Sequence, residues 1–339
     1  MSENTQVLLA ARPMGLPKDT DWSIVQTPIA EPDATKHEVL IEVVHLSLDP
    51  AMRGWMNDVK SYIPPVQLGA VMRAGGIGRV LRSAADGFAE GDWVYGMLGW
   101  QRYATVAAKH LEKLPARSDL PRAAYLGVLG IPGLTAYFGL LDLGTPKAGE
   151  TVLVSAASGA VGSITGQIAK LKGCRVVGIA GGPAKCKYVV ETLGYDDCID
   201  YKGDARILDE IRRTCPDGVD VYFDNVGGEI LEAALRRINR RARIIICGAI
   251  SVYNNTTAPR GPANYLSLLV QRARMEGFVV FDYADRYAEA RTEMAGWLLE
   301  GKLTHKAHII QGLENAPQAL LRLFSGDKLG KLIVQVAPE

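Results

Sequence analysis

The chain has 339 residues, 48% of them hydrophobic, and its 38 Lys+Arg against 37 Asp+Glu give a formal net charge of +1. That length exceeds the usual single core and predicts two domains of roughly 150 residues each. A near-neutral balance, without cations interleaved with aromatics, excludes a basic field for nucleic acid and a polybasic membrane patch.

The opening stretch MSENTQVLLAARPMG holds only a short apolar run with no basic segment before it, which is not a signal-peptide pattern. No run approaches the roughly 18 apolar residues of a membrane helix, so a cytoplasmic protein is expected. Cys174, Cys186, Cys198, Cys215 and Cys247 form no C-x-x-C pair and no Cys/His cluster at zinc spacing. Free thiols are the expectation for an odd number in a reducing compartment.

Residues 7–127 read as short apolar segments punctuated by Gly and Pro. Residues 37–46, 77–81 and 101–106 read as strands, and residues 91–96 as a turn entering a strand. This predicts a β-rich, barrel-like domain. Residues 126–141 look like a loop entering a helix, with Pro132 and Gly133 suited to its start.

A βαβ series opens at Thr151. Strands are expected at residues 151–154, 175–180, 198–201, 219–224, 243–247 and 277–281. Helices are expected at residues 184–193 (closed by Gly194), 205–215, 230–240 and 287–300, besides the one carrying Ile164, Ile168 and Leu171. Such alternation predicts a parallel, doubly wound sheet with right-handed crossovers. Residues 307–310 and 331–336 return to β structure, and they are expected to pair with the first domain.

The first βα turn carries the chemistry. After the apolar strand come Ala156, Ala157, Ser158, Gly159, Ala160, Val161 and Gly162, with Ala157 where the first glycine of G-x-G-x-x-G usually stands. Gly159 lets the backbone approach a pyrophosphate, Gly162 lets the helix pack on the strand, and the helix N-terminus offers N–H groups to the phosphates. Alone, a G-x-x-G turn is an ordinary small-residue connection; its place between strand and helix gives it weight.

At the end of the second strand, where an NAD enzyme usually carries Asp or Glu, stand Ala180, Gly181, Gly182 and Pro183, followed by Lys185. Read alone, Lys185 is a solvated helix residue. A missing acid together with a nearby cation favours a 2′-phosphate, hence NADP. By the switch-point rule, Tyr201, Asn225, Cys247 and the loop ending at Tyr253 sit at the ligand-facing strand ends.

The segments AASGAVGS, GQIAKLKGC, YFDNVGGE, CGAIS before YN, LSLDPAMRGWMND, SYIPPVQLG, LGVLGIPGLTAYFGLLDLG and ENAPQALLRLFSGDKLGK resemble the zinc-independent medium-chain dehydrogenase/reductases. The branch resembled is the leukotriene B4 dehydrogenase/prostaglandin reductase group, curcumin reductases and plant double-bond reductases included. The resemblance implies an α/β architecture: a GroES-like β-rich catalytic domain over residues 1–127, completed by C-terminal strands at residues 304–339, and a Rossmann NADP-binding domain at residues 128–303. It implies a homodimer that reduces the C=C bond of α,β-unsaturated ketones and aldehydes with NADPH.

Carried over by position, Gly159, Ala160, Val161 and Gly162 hold the pyrophosphate, Lys185 and Tyr201 meet the 2′-phosphate, and Asn225 touches the cofactor near its ribose. Cys247 and Tyr253 lie beside the nicotinamide half. Two positions depart from the pattern. Ala51 stands where members often carry a pocket-lining tyrosine, and Lys328 where many carry a cofactor-contacting asparagine, so that Lys328 reads either as a phosphate contact or as a side chain pointing into water.

The implied reaction is hydride transfer to the β-carbon, with charge developing on the carbonyl oxygen, which calls for donors aimed at that oxygen. Tyr253 is the first candidate donor and proton source, and Tyr62 the second, because a phenol is protonated at neutral pH; the alternative reading is that each only lines the pocket and water supplies the proton. Residues 68–72, where zinc members carry a G-H-E segment, hold no His or Cys, so no metal is expected. Two other readings remain: a quinone reductase of the same fold, and an NADPH-binding protein without turnover.

Overall fold

The computed structural model describes residues 3–115 and 119–339. They divide into two compact units, Met1–Leu126 with Ala307–Glu339, and Gly127–Lys306.

The first unit is built from β1 (Glu3–Leu9), β2 (Trp22–Pro28), β3 (Glu38–Ser47), β4 (Gly75–Ser83), β5 (Trp93–Met97), β6 (Tyr103–Ala107) and β7 (Leu111–Lys113), with one short helix α1 (Met52–Trp55). β1 and β2 pair antiparallel as a separate ribbon. Val7 and Leu9 of β1 are fully buried in the core around Met52, Met72, Trp100 and Leu320. Neither strand of that ribbon stands out in the sequence, because β1 opens on the polar run at residues 3–6 with Asn4 buried, and β2 leaves the apolar Ile24 50% exposed.

The second unit runs through α2 (Ile131–Phe138), β8 (Thr151–Ser155), α3 (Ala160–Leu171), β9 (Arg175–Ala180), α4 (Pro183–Glu191), β10 (Asp197–Asp200), α5 (Ile207–Thr214), β11 (Val219–Asp224), α6 (Gly228–Leu235), β12 (Ile238–Ile246), α7 (Ser267–Gln271), β13 (Arg274–Gly277) and α8 (Tyr287–Leu299). Its sheet has the order β10-β9-β8-β11-β12-β13 and is parallel throughout. Numbered from β8, that is the 3-2-1-4-5-6 order of a doubly wound dinucleotide-binding sheet, which reverses between β8 and β11. β8 is buried at every residue, as a central parallel strand covered on both faces must be.

Two expectations in this unit are corrected. The helix expected to reach residue 240 ends at Leu235, and β12 already begins at Ile238, which pairs with Val219 and is buried with Ala242 and Ile244. The sixth strand lies at Arg274–Gly277, not at residues 277–281. As an edge strand with one neighbour it is exposed at all four residues and needs no apolar sequence. The apolar residues after it serve packing: Phe278 meets Tyr283 edge-on at 6.4 Å, and Tyr283 stacks on Phe138 at 4.6 Å.

The chain then returns to the first unit with β14 (Ala307–Gln311), α9 (Ala316–Ser325) and β15 (Lys331–Gln335). β15 pairs parallel with β14 and antiparallel with β3, giving a seven-stranded sheet ordered β14-β15-β3-β4-β5-β7, with β6 also on β3. Among the described residues, no helix is long and apolar enough to cross a membrane.

Candidate active site

The second unit gathers its candidate residues at the carboxyl ends of the parallel strands. At the reversal point, β8 ends in Ser155 and β11 in Asp224. Ser155 Oγ donates to Asp224 Oδ1 at 3.1 Å and accepts the Asn225 N–H at 2.8 Å, while Asn225 Nδ2 donates to Ser155 O at 2.8 Å. Asp224 Oδ1 also accepts from Tyr222 OH (2.8 Å) and from the N–H groups of Val226 (3.0 Å) and Gly227 (2.9 Å). Sequence reading singled out Asn225 and missed Ser155 and Asp224, whose signal is one polar residue closing each of two apolar strands.

Asp224 is 0% exposed, and its Oδ2 has no hydrogen-bond partner among the described residues. Burial pushes its carboxyl above the usual range, against the pull of the N–H and O–H donors on Oδ1. A folded-state pKa above the unfolded 3.8 means that the folded form holds its proton longer. The associated stability is therefore present below pH 3.8 and lost as pH rises through the folded-state value. The difference in unfolding free energy between wild type and Asp224→Asn should fall across that window in urea titrations; a flat difference contradicts the assignment.

The phosphate turn follows β8. Gly159 caps α3 in extended geometry (φ −84°, ψ 177°), and no side chain caps the helix. Its first-turn N–H groups, which lack intrahelical partners, thus remain available for an anion. Ala157 N–H bonds Ile179 O at 3.0 Å, tying the turn to β9. A Cβ at Gly162 would run into the Ala156 carbonyl, and one at Gly166 into the Tyr195 ring, so both glycines let α3 lie close against its neighbours. Tyr195 OH donates to Gly162 O at 2.5 Å.

Beside it, Gly182 (φ +95°) turns the chain from β9 into α4, and Lys185 sits half-buried in the first turn of that helix. Tyr201 N–H bonds Ala180 O at 3.0 Å, and its ring lies against Gly181, where a Cβ would come within 2.8 Å of it. The Tyr201 side chain is 44% exposed. A carboxylate is present here after all, supplied by the next strand: Asp200 Oδ1 accepts the N–H groups of Gly182 (2.7 Å) and Lys202 (2.9 Å). It braces the turn through backbone bonds.

The loop after β12 is knitted to the Asn225 turn. Cys247 and Gly248 N–H groups bond Asp224 O at 2.9 and 3.1 Å, and Ser251 N–H bonds Val226 O at 3.2 Å. Tyr253, half-buried, accepts the Ala249 N–H on its hydroxyl at 3.1 Å. Burial pushes the Cys247 thiol up to about 12, which leaves it protonated and unreactive at neutral pH.

Tyr62, Ala51 and Lys328 belong to the first unit. The LSLDPAMRG segment is anchored from below. Lys331 Nζ, 3% exposed at its side chain, bonds Leu48 O at 2.8 Å and Asp49 Oδ1 at 2.6 Å, and Ser47 Oγ bonds Asp49 Oδ2. Arg53 reaches Pro13 O at 3.0 Å and Gly15 O at 2.9 Å. Trp55 Nε1 donates to Tyr62 OH at 3.2 Å, and the Arg73 guanidinium lies 5.7 Å over the Trp55 ring. Tyr62 is 54% exposed. Lys328 is half-exposed in the turn between α9 and β15. Among the described residues, no three His, Cys, Asp or Glu side chains come together as a metal-ligand set.

Residues 5–114 match the family profile described as the N-terminal domain of oxidoreductase, and residues 160–296 the one described as zinc-binding dehydrogenase. The NADPH-dependent curcumin reductase of Escherichia coli is 44% identical over 339 residues, covering 98% of this chain and 97% of that protein. The chain belongs to the medium-chain dehydrogenase/reductases.

Within that family, the 2-alkenal reductase (NADP(+)-dependent) of Nicotiana tabacum is 39% identical, covering 99% of this chain and 98% of its own. The crystal structure of CurA from Vibrio vulnificus in complex with NADPH superposes with a TM-score of 0.91 at 44% identity, covering 99% of this chain and 100% of that one. The β-rich unit and the parallel-sheet unit are thus the two halves of a medium-chain dehydrogenase/reductase fold, and the second profile covers the carboxyl ends of β9, β10, β11 and β12.

Proposed function

We propose that the protein is an NADPH-dependent reductase of the C=C bond of α,β-unsaturated ketones and aldehydes, working without zinc and as a homodimer. The observation that carries this reading is the side-chain-free N-terminus of α3 at the reversal point of a 3-2-1-4-5-6 sheet, in a chain whose relatives are named as NADPH-dependent reductases. The residues fit the cofactor. A glycine-tight helix N-terminus suits a pyrophosphate, and the half-exposed pair Lys185 and Tyr201 flanks a Gly181–Gly182 turn that carries no acid of its own. Asn225 suits the ribose, and Cys247 walls the nicotinamide side without taking part.

When bound, NADPH supplies the hydride for the β-carbon. The protein's share is to hold the reactants and to answer the negative charge that grows on the carbonyl oxygen. Tyr253 is the donor in this reading, its hydroxyl placed by the Ala249 N–H in the loop after β12. Tyr62 is the second donor candidate, its oxygen held likewise by Trp55. Residues 68–72 offer no His or Cys to a metal, so polarisation of the carbonyl falls to hydrogen bonds. A substrate panel of enones, enals and quinones with NADPH and NADH, followed by product identification, tests the reading. Saturated ketones and aldehydes are expected; turnover of quinones alone, or cofactor binding without any turnover, contradicts it.

The dimer reading rests on the β13 edge. Among the described residues that strand pairs only with β12, and Leu266 (56%), Leu269 (74%) and Val270 (65%), just before it in the chain, stand exposed on and next to α7. An unpaired edge next to an apolar helix is a template for a second copy. Leu269→Glu should convert a dimer to a monomer in sedimentation velocity at unchanged secondary structure; a dimer that survives it contradicts this placement.

A further inference from the structure

Cys186 lies in the first half of α4 and Cys198 in β10, twelve positions on, and their Sγ atoms are 3.1 Å apart. Both are free thiols, and both are half-buried rather than sealed in the core. A disulfide bond is about 2.05 Å long, so these sulfurs need to approach by only about 1 Å. The Cys198 S–H points at Cys186 Sγ, which prepares Cys186 as the attacking sulfur. Burial raises the pKa of both thiols, while the Cys198 hydrogen bond pulls that of Cys186 back down. Cys186 is therefore the first of the two to ionise, and its thiolate is a minor form at neutral pH.

The neighbours of the pair give it a consequence. Lys185 immediately precedes Cys186, Tyr201 follows three residues after Cys198, and Asp200 between them bonds the Gly182 N–H at the start of α4. Of the two residues read as holding the 2′-phosphate, Lys185 is thus on α4 beside Cys186 and Tyr201 directly follows β10, the strand of Cys198.

We propose that Cys186 and Cys198 form an oxidisable dithiol that a peroxide closes to a disulfide, and that the closed bridge weakens NADPH binding by drawing the first turn of α4 towards β10. The Cys186 thiolate attacks one oxygen of hydrogen peroxide. The O–O bond breaks, the other oxygen leaves as hydroxide and takes a proton to become water, and Cys186 becomes a sulfenic acid. The Cys198 sulfur then attacks Cys186 Sγ, the S–O bond breaks, and a second water leaves with the Cys198 proton. In sum, two thiols and one peroxide give one disulfide and two waters, a two-electron oxidation of sulfur. A thiol reductant reverses it by exchange. Formation of the bridge stands on the sulfur geometry alone; its effect on the cofactor rests on the reading of Lys185 and Tyr201 as 2′-phosphate residues.

The experiment treats the purified full-length protein with hydrogen peroxide, alkylates the remaining thiols, and looks by peptide mass spectrometry for the Cys186–Cys198 cross-link. KM and kcat are measured with NADPH and with NADH before oxidation, after it, and after reduction with dithiothreitol. Cys186→Ser and Cys198→Ser are treated in parallel, and Lys185→Ala is assayed fully reduced. The expected result is the cross-link, a several-fold rise in KM for NADPH with kcat and NADH use unchanged, recovery on reduction, and serine variants that form no cross-link. Absence of the cross-link overturns the dithiol, and a cross-link that leaves KM for NADPH unchanged overturns its coupling to the cofactor. A reduced Lys185→Ala with wild-type KM for NADPH instead indicts the phosphate reading, while the peptide mass still decides the bridge.

Discussion

Tyr253→Phe is expected to lower kcat by about 10²-fold, the loss that follows removal of one hydrogen-bond donor to a developing oxyanion. The change deletes one oxygen and leaves the ring that fills its place in the loop after β12. The hydroxyl accepts the Ala249 N–H at 3.1 Å, so the variant also frees one backbone donor. That loss falls on the loop and is read separately as a shift in thermal stability. KM for NADPH should stay near the wild-type value, because the residues proposed for the pyrophosphate and the 2′-phosphate lie at other strand ends. Steady-state kinetics with a simple enone checks it. Tyr62→Phe should cost less, since Tyr62 is 54% exposed and water can take the place of its hydroxyl. A larger loss at Tyr62 than at Tyr253 would reverse the two roles.

The second large effect is expected at Lys185. A charge-assisted hydrogen bond to a phosphate contributes about 1.5–3 kcal/mol, so Lys185→Ala should raise KM for NADPH by roughly 10- to 100-fold. KM for NADH, which lacks the 2′-phosphate, should hardly move, and the ratio of the two constants is the readout. The side chain is half-exposed, so solvent screening favours the lower end of that range. A uniform rise for both cofactors would mean that the substitution disturbs α4 rather than removing a phosphate contact.

The parallel-sheet unit was legible because its signal is local. Apolar runs of strand length, one Gly turn and helical spacing lie next to one another in the chain, and the first four of the six strands fall where the pattern puts them within a residue, while the fifth begins five residues earlier than expected. The sixth was misplaced because an edge strand exposed at every residue carries no hydrophobic signal, whereas Phe278 and Val280 after it are apolar for packing. The β1–β2 ribbon was invisible for a different reason: its burial does not follow the polarity of its residues, with Asn4 buried and Ile24 exposed.

Site residues divide in the same way. Gly159, Gly162 and Lys185 announce themselves through spacing. Asp224 and Asp200 do not, because what makes them matter is which backbone N–H groups a neighbouring strand brings to them. The family segments prove to be anchors as much as site residues. In LSLDPAMRG, Asp49 and Leu48 are held by the buried Lys331, far away in the sequence, and Arg53 is spent on the carbonyls of Pro13 and Gly15. The physical content of that motif is the fixing of a loop, which no local pattern could disclose.

Transfer of deuterium from C4-labelled NADPH to a conjugated enone tests the central claim most directly. The account predicts a saturated ketone carrying the label on its β-carbon, with the carbonyl intact. Label on the carbinol carbon of an allylic alcohol, or an unlabelled enone after prolonged incubation with NADPH bound, would contradict it.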